Sequence, residues 1–240
     1  DLHQSEKLLA GKKVLIVDDD MRNIFALSSV LEEHHMVITS ADNGRDAINI
    51  LQEEKDIDIV LMDIMMPELD GFSLAAEIRK VNPSIPLIFL TSRTMKEDMV
   101  KGFSIGADDY VLKPFDAEIL LLKLKALLRR SDVNSAADRE QNDFNIGIFN
   151  FNYRMRELSG NGGVVRLSPR EADLLQLLCL HMNDVLTREK ALKTIWGEDT
   201  YFTGRSMDVF LTRLRKCFKA DPNIEIVNVH SNGFRLMVHQ

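Results

Sequence analysis

The sequence predicts an α/β protein in which a doubly wound domain with five parallel strands precedes a smaller α+β domain. Short apolar runs alternate with helical patterns through residues 12–130, and this alternation is typical of a parallel sheet with right-handed crossovers. A small, polar stretch at 131–142 interrupts the alternation. Beyond it, strand patterns come first and helices follow. We therefore predict domains at 1–130 and 143–240, with a linker at 131–142 between them.

The five strands of the first domain are short runs rich in Val, Ile and Leu, as expected for strands buried on both faces. They lie near residues 14–17, 37–41, 59–62, 86–90 and 109–112. The helical patterns lie near residues 22–34, 44–54, 72–80, 95–105 and 116–130. Each strand is thus followed by one helix, as a doubly wound sheet requires.

Four of these strands run directly into residues that can carry chemistry. The first ends in Asp18 and Asp19, the third in Asp63, the fourth in Thr91 and the fifth in Lys113. Ligands of open α/β sheets bind just outside the carboxyl ends of the strands, so these side chains should converge. Clustered carboxylates repel one another and favour a hard divalent cation such as Mg²⁺. An Asp beside a metal and a lysine is suited to accept a phosphoryl group.

Residues 12–130, with these motifs in this order, resemble the receiver domain of two-component response regulators, which has a flavodoxin-like fold. The resemblance implies that Asp63 is the phospho-acceptor. It also implies that Asp19 ligates Mg²⁺ directly and that Asp18 helps to hold the metal, partly through water. The backbone carbonyl of Met65 would be a further metal ligand.

The same resemblance implies a switch. Lys113 would contact the phosphoryl group, and its bond to Pro114 is expected to be cis. Thr91 and Tyr110 would form the switch pair, in which the hydroxyl moves toward the phosphoryl oxygen and the aromatic ring turns inward.

The two halves of the receiver resemble different relatives. The phrase Gly-Lys-Lys-Val-Leu-Ile-Val-Asp-Asp-Asp-Met-Arg-Asn-Ile-Phe-Ala-Leu, at 11–27, resembles receivers appended to hybrid histidine kinases. The phrase Ile-Gly-Ala-Asp-Asp-Tyr-Val-Leu-Lys-Pro-Phe, at 105–115, resembles receivers of DNA-binding regulators. Two interpretations stay open: a natural receiver, or a chimera joined near Pro67 to Gly71.

The second domain combines strands at both ends with three central helices. Strand patterns are predicted at 144–151, 153–159 and 164–167, with a hairpin signal at 160–163, and a closing hairpin pairs 225–229 with 234–238. Ser168 and Glu171 form a capping box that starts a helix ending near residue 182. Thr187 should cap a second helix that ends near Trp196. Ser206 should cap a third that ends near Ala220.

The third helix separates an apolar stripe from a basic face. The stripe contains Met207, Phe210, Leu211, Leu214, Cys217 and Phe218. The opposite face contains Val209, Thr212, Arg213, Lys216 and Lys219, with Arg215 at its flank. For one helix taken alone, a solvated basic face is the simpler interpretation. Two helices, a basic third helix and a glycine-turned hairpin together indicate a winged helix-turn-helix, whose third helix enters the major groove.

Residues 144–238 resemble the effector domain of OmpR/PhoB-type response regulators, chiefly through the phrases at 167–175, 186–189 and 208–216. The partners implied are double-stranded DNA and, as a further candidate, RNA polymerase. The predicted DNA contacts are Arg205, Val209, Thr212, Arg213, Arg215, Lys216, Lys219 and His230. His230 stands where the family wing commonly has an arginine, so the wing should gain a cation only in acid.

The expected function is that of a transcription regulator phosphorylated on Asp63 by a sensor histidine kinase. Phosphorylation would favour a homodimer that binds repeated DNA half-sites. By resemblance, the dimer face combines the helix near 95–105, the strand near 109–112 and the helix near 116–130. Its cross-pairs would be drawn from Lys101, Asp108, Asp109, Glu118, Lys123 and Arg130.

Composition narrows the class of protein further. A hydrophobic content of 45% and a charged content of 28% suit a globular protein, and no apolar run approaches the roughly 18 residues of a membrane span. The net charge of −7 is uneven, because residues 1–140 hold 17 Lys and Arg against 26 Asp and Glu, whereas 141–240 hold 13 against 11. We expect a cytoplasmic protein with Cys179 and Cys217 as reduced thiols.

Two other functions were weighed. A phosphohydrolase of the haloacid-dehalogenase type would have a second Asp two residues after the nucleophile, where this chain has Met65, so we expect no enzyme of that kind. A phosphorylation-independent DNA-binding regulator is the main alternative. Such regulators usually lack one of the acidic or lysine residues of the site, and this chain retains all five of the residues at its strand ends.

Overall fold

The structure, a computed structural model, describes residues 8–128, 142–160, 162–197, 201–230 and 232–239. It divides the chain into two compact units, Asp1–Asp132 and Val133–Gln240. Residues 129–141, which hold almost all of the predicted linker at 131–142, lie outside the described residues. Within the described ranges, none of the helices is long and apolar enough to cross a bilayer.

The first unit is a parallel sheet with the strand order β2-β1-β3-β4-β5. The strands are β1 (Lys13–Val17), β2 (Val37–Ala41), β3 (Ile59–Met62), β4 (Leu87–Thr91) and β5 (Asp109–Leu112). The helices are α1 (Met21–Glu33), α2 (Gly44–Glu53), α3 (Gly71–Val81), α4 (Lys96–Ile105) and α5 (Ala117–Leu128). The predicted doubly wound five-stranded fold is confirmed, and the strands lie within one residue of their predicted bounds.

The register of the sheet determines which strand ends lie side by side. Val17 at the end of β1 pairs with Met62 at the end of β3, and Thr91 at the end of β4 pairs with Leu112 at the end of β5. The residues that follow β1, β3 and β5 are Asp18, Asp63 and Lys113. Because neighbouring strands end level, these side chains emerge at one edge of the sheet.

Apolar helix faces cover the sheet. Leu31 of α1 and Leu124 of α5 are fully buried in one cluster with Val14, Ile16 and Leu61 of the strands. Burying one leucine contributes roughly 1.5–3 kcal/mol. The helix starts are capped by side chains that accept backbone N–H groups, namely Asp20 for α1, Asn43 for α2 and Asp70 for α3.

The second unit contains two antiparallel sheets and three helices. Strands β6 (Asp143–Ile146), β7 (Phe149–Asn152), β8 (Glu157–Gly160) and β9 (Gly163–Arg166) form one sheet in sequence order. The helices are α6 (Pro169–Leu180), α7 (Arg188–Trp196) and α8 (Tyr201–Cys217), and a 3₁₀ turn, Phe218–Ala220, follows α8. Strands β10 (Leu186–Thr187), β11 (Ile224–Val229) and β12 (Gly233–Val238) form the other sheet, in the order β10-β12-β11. The predicted winged-helix architecture is confirmed.

Three details of this unit differ from the sequence-based expectation. The strand predicted at 153–159 is confined to β8 at Glu157–Gly160, because residues 153–156 form a turn in which the N–H of Arg156 donates to the carbonyl of Tyr153. The strand predicted at 144–151 is two strands, because Gly147 adopts a positive φ of 55° and turns β6 into β7. Ser206 does not cap the third helix, because α8 already begins at Tyr201 and Ser206 is fully buried within it. The residue that looked like a helix cap in the sequence is a small polar side chain packed inside the unit.

The capping box and the apolar stripe are as predicted. Ser168 and Glu171 exchange both hydrogen bonds of the box, and Thr187 caps α7. Met207, Phe210 and Leu214 of the stripe are fully buried. The stripe therefore anchors α8 to the core and leaves its other side available to a ligand.

Candidate functional site

At the carboxyl edge of the first unit's sheet, two carboxylates bond to one ammonium group. Lys113 Nζ donates to Asp18 Oδ2 at 2.8 Å and to Asp63 Oδ2 at 2.9 Å. The three side chains are 19%, 3% and 12% exposed, respectively. Burial alone would lower the pKa of Lys113, but the hydrogen bonds to Asp18 and Asp63 outweigh it and the pKa is raised. The lysine therefore stays charged and balances two buried acids.

The loop after β3 holds Asp63 in place. Asp63 Oδ1 accepts the N–H of Met65 at 3.0 Å, which leaves Oδ2 directed to Lys113. The N–H of Gly71 donates to the carbonyl of Ile64 at 3.0 Å. A Cβ at Gly71 would lie 2.3 Å from the Asp63 carbonyl oxygen, so only glycine fits here. Gly71 at the start of α3 is thus a packing requirement of the acidic site.

Asp18 has a second set of donors, which sequence analysis missed. The side-chain amide of Asn23 lies 3.0 Å from Asp18 Oδ1 and 3.1 Å from Oδ2. The N–H of Asp20 donates to Oδ1 at 2.9 Å. Asp20 also pairs with Arg22, and this bond lowers the pKa of Asp20 to about 2. The only sequence signal for Asn23 was its place in the first turn of the helix after Asp18.

The donor set suits a divalent cation in part. Among the described residues, no three His, Cys, Asp or Glu side chains are gathered as a metal site, and Asp19 is exposed. Asp18 and Asp63, however, lie within hydrogen-bonding distance of one ammonium, so they can both face one cation. Mg²⁺ is usually bound through one or two carboxylates and keeps several waters. Two carboxylates therefore fit Mg²⁺, with Asp19 next to Asp18 in the chain.

The predicted switch residues meet at one backbone segment. Thr91 is fully buried, and its Oγ1 accepts the N–H of Arg93 at 3.2 Å. Tyr110 is 6% exposed and donates its hydroxyl to the carbonyl of Arg93 at 3.2 Å. Burial raises the pKa of Tyr110. Both side chains thus bond to one residue of the β4–α4 loop, with the tyrosine ring inside. The expected cis bond between Lys113 and Pro114 is present.

The predicted dimer face needs one correction. Asp108 is fully buried, and its carboxylate accepts hydrogen bonds from Arg79 and from the N–H of Leu87, so it cannot pair with a second protomer. Asp109 is ion-paired with Lys123 of the same chain at 2.8 Å. Lys101 lies 4.5 Å from the ring of Phe72. Glu118 is exposed, and Arg130 lies outside the described residues.

The exposed side of α5 is apolar as well as charged, which sequence analysis did not single out. Ile119 is 52% exposed and Leu122 is 65% exposed. Ala126 is also exposed. These three residues stand at positions i, i+3 and i+7 and so form one stripe along the helix. We call Ile119, Leu122 and Ala126 the α5 stripe.

The predicted DNA contacts of α8 fall into two groups. Arg205, Thr212, Lys216 and Lys219 are exposed, and Val209 is half-buried beside them. Arg213 is turned back toward its own unit, since its guanidinium lies 3.7 Å from the carboxylate of Glu171 and 5.8 Å from the ring of Phe210. Arg215 bonds to the carbonyl of Ile226 at 2.8 Å and to Asn228 Oδ1 at 2.7 Å. Arg215 therefore ties α8 to β11.

A cleft beside the wing was also missed. Arg188, the first residue of α7, bonds to both carboxylate oxygens of Asp208 and to the carbonyl of Gly204. Its guanidinium lies 5.8 Å from the ring of Phe234. Arg188 and the exposed wing residue His230 line a cavity of about 330 Å³. In the sequence, Arg188 lies in the phrase Leu-Thr-Arg-Glu at 186–189, which supported only the family resemblance.

Comparison with known proteins matches both units to family models. Residues 14–125 match the response regulator receiver domain, and residues 162–236 match the C-terminal domain of transcriptional regulatory proteins. Over 225 residues the chain is 41% identical to the transcriptional regulatory protein RprY of Bacteroides fragilis, and the match covers 94% of each chain. The chain is a two-component response regulator of the OmpR/PhoB type.

Solved structures extend the comparison for this regulator. It matches DrrB of Thermotoga maritima, described as an OmpR/PhoB homologue, with 28% identity and a TM-score of 0.49, covering 95% of this chain and 99% of that one. It matches a mutant of RitR with a TM-score of 0.70 at 20% identity, covering 95% and 100% of the two chains, and this likeness shows the shared fold. With the two family matches, the regulator combines a receiver with a DNA-binding winged helix.

Proposed function

We propose that this regulator is phosphorylated on Asp63 by a sensor histidine kinase, and that phosphorylation favours a dimer that binds repeated DNA half-sites in the cytoplasm. One observation carries the proposal: Asp18, Asp63 and Lys113 meet at the carboxyl edge of the sheet, with both acids bonded to the lysine. Among these, Asp63 is held by a loop N–H on one oxygen and has its other oxygen at the centre of the cluster.

This geometry supports the following assignment of chemistry to the residues of the site. Asp63 Oδ2 attacks the phosphorus atom, a new O–P bond forms, and the bond to the donor's leaving group breaks. Mg²⁺ held by Asp18, Asp19, Asp63 and the Met65 carbonyl would neutralise charge on the phosphoryl oxygens. Lys113 releases the Asp63 oxygen that it now contacts and moves to a phosphoryl oxygen.

The switch links this site to the β4–α4 loop. When the Thr91 hydroxyl turns to a phosphoryl oxygen, the Arg93 N–H loses its acceptor. The carbonyl of Arg93 accepts the Tyr110 hydroxyl, so a movement of the loop changes the hydrogen bonds of both Thr91 and Tyr110. In this way, a charge change at Asp63 biases a two-state element next to α4 and β5.

The dimer face of the proposal is the α4–β5–α5 surface. Asp109 and Lys123 pair within one protomer, so the α5 stripe is the part of this surface that a partner would cover. Among the predicted cross-pair residues, Glu118 is exposed on the same helix as the stripe. Dimerisation places two winged helices on one DNA molecule, and RNA polymerase is the further partner that a transcription regulator would recruit.

The proposed DNA contacts use exposed side chains first. Val209, Thr212 and Lys216 lie on the side of α8 opposite its buried stripe and face the bases of the major groove. On DNA, Arg213 exchanges its contact with Glu171 for a contact with guanine and so joins this group. The 3.7 Å between the Arg213 guanidinium and the Glu171 carboxylate is long for an ion pair. Arg205 and Lys219 bind phosphates, as do Arg188 and His230 beside the wing. Arg215 acts indirectly, by positioning β11.

A pair of matched variants tests the phospho-acceptor. Asp63→Asn should abolish labelling by acetyl phosphate with Mg²⁺, because an amide oxygen is a poor nucleophile. Asp70→Asn should label normally, since Asn replaces Asp as the helix cap with little loss. Labelling followed by size-exclusion chromatography also measures dimer formation. If Asp63→Asn still binds repeated half-sites as tightly as labelled wild type, the regulator acts without phosphorylation and the alternative function is correct.

A further inference from the structure

Asn23 faces the acidic site from the first turn of α1. Both hydrogen bonds described for its side-chain amide go to Asp18, at 3.0 Å to Oδ1 and 3.1 Å to Oδ2. The helix cap is another residue, Asp20, so the Asn23 amide is not needed to start the helix. Asp18 itself is 2% exposed. The contact is therefore made to a buried acid that belongs to the proposed phosphorylation site.

The donors around Asp18 differ on its two oxygens. Oδ1 accepts the N–H of Asp20 at 2.9 Å and the Asn23 amide, both from the loop and helix that follow β1. Oδ2 accepts Lys113, which also holds Asp63, and it accepts the same Asn23 amide at a longer 3.1 Å. A carboxylate offers about four lone-pair positions. The Asn23 amide, which reaches both oxygens, and the Asp20 N–H thus fix the plane of the carboxylate, while Oδ2 shares Lys113 with Asp63.

The charge of each donor determines whether it competes with a cation for Asp18. An ammonium such as that of Lys113 cancels the charge of an acid and competes with an incoming cation. A neutral amide orients the acid and leaves its charge in place. Asn23 can therefore remain on Asp18 while a divalent cation takes the position between Asp18 and Asp63.

We propose that Asn23 is a positioning residue of this site, which holds Asp18 so that Oδ2 is presented to the divalent cation. The proposal rests on the proposed function, in which Asp18 and Asp63 share that cation. Outer contacts of this kind typically change metal affinity by about 10-fold or more when they are removed, because the ligand must then be ordered on binding.

The test measures cation affinity directly, without phosphorylation. Mn²⁺ binding to the full chain is followed by electron paramagnetic resonance for wild type, Asn23→Ala and Asn23→Leu. Leucine keeps the branched shape of the side chain and removes its donor. Asn49→Ala is the matched control, since Asn49 is an exposed asparagine on α2. Thermal unfolding without metal shows that each variant is folded.

We expect both Asn23 variants to bind Mn²⁺ about 10-fold more weakly and Asn49→Ala to bind as wild type does. At saturating Mg²⁺, the rate of labelling by acetyl phosphate should return to the wild-type rate in both. Unchanged affinity in Asn23→Leu would overturn the proposal, and so would a higher affinity, which would mean that Asn23 competes with the cation. Labelling of Asp63→Asn in the same assay would instead refute the phospho-acceptor, so the two failures are distinguishable.

Discussion

At the scale of single residues, the acidic site depends on side chains whose environments differ although their residue types are the same. Asp18 and Asp63 are buried and share Lys113, whereas Asp19 is exposed. Burying a carboxylate is costly unless it is paired or hydrogen-bonded. Each buried acid here has both oxygens occupied by donors. The buried pair can therefore persist in the folded state and remain available to a cation that replaces the lysine.

Gly71 provides a prediction at this scale. Gly71→Ala should destabilise the receiver by about 1–3 kcal/mol, because a Cβ 2.3 Å from the Asp63 carbonyl oxygen forces the backbone apart. It should also slow labelling of Asp63, since the same carbonyl belongs to the acceptor. Gly163→Ala is the control, because a Cβ there meets nothing within 4 Å. Urea unfolding measures the difference, and equal stability of the two variants would contradict the close approach.

At the scale of elements, one arginine joins the end of α3 to the turn between α4 and β5. Arg79 donates to the carbonyl of Gly106 through two nitrogens and to Asp108 at 3.1 Å. Its side chain is 10% exposed, and that of Asp108 is 0% exposed. The pair explains why Asp108 is committed to the interior, whereas its neighbour Asp109 pairs with Lys123 of α5.

Removing this arginine should be costly. Arg79→Ala leaves Asp108 as a buried charge without its cation, and breaking a buried pair costs about 3–5 kcal/mol. Lys80→Ala is the matched control, since Lys80 and Glu77 are 70% and 46% exposed and such pairs contribute less than about 1 kcal/mol. Chemical unfolding of the two variants would measure both losses. Similar values would show that the Arg79 bonds are not structural.

The α5 stripe leads to a second prediction for an element. Leu122→Lys should abolish dimerisation of the phosphorylated regulator while Asp63 still labels, because a charge would be placed in the apolar centre of the face. Val37→Lys on β2 is the control, since β2 forms the opposite edge of the sheet from β5. Wild-type dimerisation should change little between low and high salt, as apolar contacts are not screened. Strong weakening by salt would indicate that ion pairs carry the dimer instead.

At the scale of the whole molecule, we expect different arginines to carry the recognition of base sequence and the general affinity for DNA. Arg213→Ala should weaken binding to the cognate duplex chiefly, by about 1–3 kcal/mol. Arg205→Ala should weaken cognate and scrambled duplexes alike and lower the slope of log affinity against log salt by about one. Titrations at several salt concentrations measure both effects. Equal loss on the two duplexes for Arg213→Ala would show that this arginine does not read bases.

The sequence by itself determined the fold class, the family and which strands end in residues that can carry chemistry. Buried β-branched runs alternating with helices form interior strands, and parallel strands that share an edge bring their carboxyl ends together. Asp18, Asp63 and Lys113 could therefore be expected to meet at one edge of the sheet without coordinates, and the structure brings these three together. The capping box at Ser168 and the apolar stripe of α8 were equally local signals, since a helix start and a 3.6-residue period are set by neighbouring residues.

Only the tertiary structure decided which polar side chains are already committed to partners. Arg79 and Asp108 are 29 positions apart, and Lys113 and Asp18 are 95 apart, so no local pattern reports these bonds. Arg215 likewise bonds to the carbonyl of Ile226, 11 positions away on β11. A charged residue looks alike in sequence whether it faces water, a partner or a buried acid. Its role depends on packing and register, which the folded chain alone establishes.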